Sequence, residues 1–65
     1  MTPSMKRWLH EHGLTGAQVA DRAGVRVRDF YEQLSGRAPV QPELTTTLRS
    51  IYGMTEAEYR EAVQG

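Results

Sequence analysis

Apolar residues recur along this chain at intervals of three and four, and a glycine closes most clusters. That is the period of amphipathic helices, and the strict alternation that marks strands is absent. Met5, Trp8 and Leu9 give the first apolar face, with Thr2 or Ser4 as its cap and Pro3 near its start. Gly13 takes the left-handed position that ends it. Thr15 caps a second helix, and Gln18 three residues later completes a capping box. Its apolar stripe, Val19, Ala20 and Ala23, is narrow and small, and Gly24 stops it after about two turns.

A third helix is predicted from about Val27 to Ser35, with Gly36 as its stop. Phe30 and Leu34 share one face, and Arg28 and Glu32 share the roughly opposite one. Asp29 stands in the first turn, where a carboxylate complements the helix dipole. Arg26 occupies the capping position, which Ser or Thr would serve better. Ala38-Pro39-Val40-Gln41-Pro42 reads as a stiff extended connector, because residues before proline avoid the helical region. Leu44, Leu48 and Ile51 follow at helical spacing and Gly53 ends that fourth helix. Packing is expected to override the weak propensity of Thr45-Thr46-Thr47 within it. Thr55 and Glu58 form a second capping box, opening a fifth helix with Tyr59 and Val63 on one face.

The expected fold is all-α: a compact single domain, 1–65, of five helices. Within it the stretch of about 15–36 has a helix-turn-helix pattern. Ala20 is small where a second helix would cross the first. Gly24 supplies the positive φ of the turn. Val25 pins the turn to the core, while Phe30 and Leu34 anchor the third helix and leave its other face free.

Composition narrows the function. Sixty-five residues make one domain at most, and domains of about 60 residues bury only about 60% of their unfolded surface. With no Cys, disulfides and thiolate metal sites are excluded. No apolar run reaches a membrane span and no signal-peptide pattern opens the sequence, so a cytoplasmic protein is expected. The formal net charge is +0, from 8 Lys+Arg and 8 Asp+Glu, but the distribution is polarised. Lys6, Arg7, Arg22, Arg26, Arg28 and Arg37 outnumber the acids of residues 1–37. Glu43, Glu56, Glu58 and Glu61 outnumber Arg49 and Arg60 beyond them.

The segment LTGAQVADRAGVRVRDFYEQLSGR resembles the Cro/repressor-type (XRE-type) helix-turn-helix. The likeness extends over nearly the whole chain: Met5 and Trp8 match apolar positions of that family's first helix. Gly13-Leu14-Thr15 matches the entry to its second, Leu34-Ser35-Gly36-Arg37 the exit from its third. PVQPELTTTLRSIYGMT resembles its fourth helix and the turn after it. Size and connector are most similar to small phage or mobile-element regulators, including anti-CRISPR-associated repressors.

That resemblance implies an operator-binding homodimer with the third helix in the major groove of double-stranded DNA. It places Arg26, Val27, Arg28, Tyr31 and Glu32 toward the bases. Arg28 is suited to bond guanine O6 and N7 together, Glu32 to accept from a cytosine amino group or to orient Arg28, and Val27 to meet a thymine methyl. Thr15 and Gln18, at a helix start, and Arg37 are placed at phosphates. The chain departs from the family at Gly16, where Gln is common, and at Arg26, where Ser commonly caps. The implied function is transcriptional repression, with autoregulation of its own operon, needing no cofactor and no small-molecule ligand.

Each of these residues also has a plainer reading. Arg28 and Glu32 suit a solvated i,i+4 pair, Gln18 a capping role and Tyr31 the edge of the core. His10 and His12 are two apart on a helix and diverge, so they make no metal pair. Ser4, Ser35 and Ser50 have no His–carboxylate constellation, so no enzyme is expected. Met54, Tyr59 and Val63, in a dimerisation region of about 52–65, could simply close the monomer core, but are expected to contact a second copy, since helix-turn-helix dimers read half-sites about 34 Å apart. The competing reading is an antitoxin or adaptor that uses the same fold to hold a protein.

Overall fold

The first, second and fifth helices begin behind a threonine whose side chain caps them. The computed structural model describes residues 1–64, so Gly65, the last position of the expected dimerisation region, lies outside the described residues. Helix α1 spans Pro3–Glu11, and its cap is Thr2, whose Oγ1 accepts from Met5 N at 3.1 Å. Helix α2 spans Gly16–Ala23 behind the Thr15–Gln18 capping box. Helix α3 spans Val27–Leu34. Helix α4, Pro42–Thr46, runs on without a break as a π-helical turn, Thr47–Ile51. Helix α5 spans Glu56–Gln64 behind the Thr55–Glu58 box. No strand occurs among the described residues.

The turn between α2 and α3 is set by two backbone bonds. Gly24 N donates to Asp21 O at 3.1 Å and Val25 N to Ala20 O at 3.0 Å. This is a Schellman motif, which needs positive φ at its pivot. Gly24 supplies it at +74°. The same pair of bonds ends α3: Gly36 N reaches Gln33 O and Arg37 N reaches Glu32 O.

Helix α2 packs against α3 on one side and against α4 with its π turn on another, while α1 packs against α5. The shared core joins Met5, Trp8 and Leu9 to Val19, Ala20, Phe30, Leu34, Leu44 and Leu48. Burying a side chain such as Phe30 or Leu48 contributes about 1.5–3 kcal/mol. Two polar ties secure α5. Thr2 Oγ1 donates to Ala62 O at 2.8 Å, and Thr45 Oγ1 and Tyr59 Oη share a bond of 2.8 Å. Trp8 is buried, stacked on His12 at 4.3 Å and edge-on to Tyr52 at 6.0 Å. Its Nε1 has no hydrogen-bond partner among the described residues.

The π turn changes which residues enter the core. A regular helix would carry Ile51 inward with Leu44 and Leu48. Here Tyr52 N bonds Thr47 O five residues back, and the wider turn swings Ile51 out to 47% exposure. Met54 takes the inward place, drawn in by the bond from its N to Leu48 O, and is only 2% exposed. Met54 is therefore not available to a second copy, which corrects its assignment to the dimer contact: it closes the monomer core. Tyr59 and Val63 are half-buried. No described helix is long and apolar enough to cross a membrane.

Candidate nucleic-acid interface

One face of α3 is committed to the core. Phe30 and Leu34 are fully buried and Gln33 is nearly so. At 3.6 residues per turn, Arg28 and Glu32 fall roughly opposite that face. Val27 and Tyr31 lie on one flank, exposed by 44% and 39%. Arg26 stands at the entry, exposed, in extended geometry, with no side-chain bond to the first turn. Arg37, exposed, stands just past the exit. Arg26, Val27, Arg28, Tyr31 and Arg37 are thus exposed along α3 and at its two ends, with Glu32 half-buried among them.

Glu32 does not pair with Arg28. Its Oε2 accepts from Arg37 Nε at 3.1 Å, because the turn at Gly36 brings the Arg37 backbone onto Glu32 O. An exposed pair of this kind contributes little stability. It leaves Arg28 without an ion-pair partner among the described residues.

The start of α2 joins this surface through Tyr31. The Tyr31 ring lies over Gly16, so a Cβ at that position would stand 2.7 Å from Tyr31 Oη and 2.8 Å from Phe30 Cε2. Only glycine permits this approach, and Gly16 is buried beneath the ring. Phe30 and Tyr31 meet edge-to-face at 5.3 Å, which steadies the ring further. Thr15 and Gln18 are exposed and spend one oxygen each on the capping box: Thr15 N donates to Gln18 Oε1 at 2.8 Å and Gln18 N to Thr15 Oγ1 at 3.2 Å. The Ala17 N–H and the Gln18 Nε2, both on exposed residues, have no hydrogen-bond partner among the described residues.

No family model, curated protein or solved structure matches this chain. The candidate surface therefore rests on the chain's own geometry. Two contributors were hidden in the sequence. Gly16 looked like a departure, and its signal was a glycine inside a helix, where it costs stability without a packing reason. Gln33, a polar residue, falls on the same arc of α3 as Phe30 and Leu34, and that spacing was its signal. A groove of about 90 Å³ lies between α1 and α5, lined by Ser4, Arg7, Trp8, Glu11, Glu58 and Glu61. Among the described residues no group of three His, Asp or Glu is arranged to hold a metal ion.

Proposed function

We propose that this chain is a sequence-specific double-stranded DNA-binding repressor with a Cro/repressor-type helix-turn-helix formed by α2 and α3. One observation carries the reading: Arg28 projects, unpaired, from the side of α3 opposite its buried stripe. A free guanidinium on an exposed helix face is the side chain best matched to the two acceptors of guanine in the major groove. Arg26 and Val27 sit beside it at the helix start, which enters the groove first. The α2 N-terminus offers the Ala17 backbone N–H to a phosphate, and the Tyr31 hydroxyl stands at that same point. In this reading Tyr31, expected at the bases, contacts the backbone instead. Arg37 supplies a further phosphate contact.

The domain reads its operator as a homodimer. Its longest Cα extent is 22 Å, short of the roughly 34 Å between successive half-sites on one DNA face. Two copies related by a two-fold axis therefore bind an inverted repeat, with Tyr59 and Val63 of α5 meeting across the axis. Occupying its own promoter is repression without any effector domain. The test is selection of duplexes from a randomised pool: an inverted repeat, bound two chains per duplex, is the expected product. Recovery of no sequence, or of a direct repeat, would overturn the proposal.

A second reading, an adaptor or antitoxin that holds a protein, is favoured by the exposed Ile51 and the zero net charge. Capture of a protein that is insensitive to salt, without duplex binding, would establish it in place of the first.

A further inference from the structure

Gln33 is 4% exposed and faces inward between two fully buried apolar residues, where packing alone would call for leucine. A buried carboxamide is costly unless both of its ends are bonded. Both are. Gln33 Nε2 donates to Gln41 Oε1 at 2.9 Å, and Gln33 Oε1 accepts from Gln41 N at 2.9 Å. Gln41 is the capping residue of α4 and makes no side-chain bond to that helix. This pair of hydrogen bonds therefore ties α3 to the start of α4 and closes the span from 33 to 41. Arg37 lies at the midpoint of that span. Its other end is already fixed by the backbone bonds of Gly36 and Arg37 to α3.

We infer that Gln33 is a positioning residue: it clips the connector shut so that Arg37 is held in place for a DNA phosphate, while Gln33 itself touches no DNA. This rests on the reading of Arg37 as a backbone contact. With the clip open, the connector beyond Arg37 is ordered only on binding, Arg37 keeps only its bonds to Glu32 O and Oε2 as ties, and the ordering is charged against affinity. A merely structural Gln33 would have no such link to Arg37.

The experiment uses the full chain and a duplex selected by it from a randomised pool. Gln33→Leu keeps the core filled, and Gln41→Ala, at an exposed position, removes half of the clip without touching the core. In Gln33→Leu the backbone amide of Gln41 should exchange faster. Binding should weaken about three- to tenfold, the loss expected from ordering one long side chain, with base preference unchanged. In an Arg37→Ala background, where the salt slope is already lower by about 0.9, Gln33→Leu should cost nothing more. Gln41→Ala should give a smaller loss with the same dependence on Arg37. An equal loss with and without Arg37, unchanged affinity, or altered base preference overturns the inference. If the wild-type chain binds no duplex, the inference falls with the reading beneath it. Faster exchange at Gln41 would then still show the clip itself to be real, which separates the two failures.

Discussion

Arg26→Ser should make the protein more stable and a poorer DNA binder. Arg26 already has capping geometry, φ −68° and ψ 147°, so serine enters without moving the backbone. No side chain now caps α3. A serine Oγ would accept from the N–H of Arg28 or Asp29, and such a cap contributes about 1 kcal/mol. Removing a cation from the positive end of the helix dipole adds about 0.3–1 kcal/mol. The sum is roughly 1–2 kcal/mol, and each 1 kcal/mol raises the melting temperature of a domain this size by about 4–8 °C. The assay is thermal unfolding by circular dichroism at matched protein concentration, since the proposed dimer would make melting concentration-dependent. It is paired with titration of a selected duplex. Melting that is unchanged or lower would refute the capping argument. Higher melting with undiminished affinity would refute the DNA role of Arg26.

Two further substitutions probe the surfaces around α3 and α5. Gly16→Ala should destabilise the fold by about 1–3 kcal/mol through overpacking against Tyr31 and Phe30. Tyr31→Ala should restore only part of that loss, because Phe30 Cε2 remains at 2.8 Å, and chemical denaturation of the two single variants and the double variant reads both effects. Val63→Asp should shift the dimer toward monomer in sedimentation while α1–α4 keep their helicity; a wild-type chain that is monomeric at high concentration, with and without duplex, would end the dimer claim.

The helix starts were legible because capping is local chemistry. Thr2, Thr15 with Gln18, and Thr55 with Glu58 all make the bonds their spacing implies. The cost at Arg26 was legible for the same reason. The end of α4 was not. A stripe counted at 3.6 residues per turn places Ile51 inside, and the π turn reverses Ile51 and Met54, exposing the first and burying the second. The π turn packs against α2, a contact that no local pattern encodes.

At the candidate site, spacing alone allowed Arg28 to pair with Glu32. The turn at Gly36 decided otherwise by delivering Arg37 to Glu32. Tyr31 over Gly16 and Gln33 with Gln41 were hidden for a similar reason. Each depends on two elements meeting in space, and a single sequence records only one side of each meeting at a time.

The central claim is that Arg28 reads a base. The measurement is the affinity of wild-type and Arg28→Ala chains for a selected duplex and for its single-base-pair variants at fixed salt. The account expects a loss of about 1–3 kcal/mol per bidentate contact on the parent duplex, with discrimination abolished at one G·C pair in each half-site and kept at the others. Equal discrimination at every position in the two proteins, or a uniform loss across all duplexes, would contradict it.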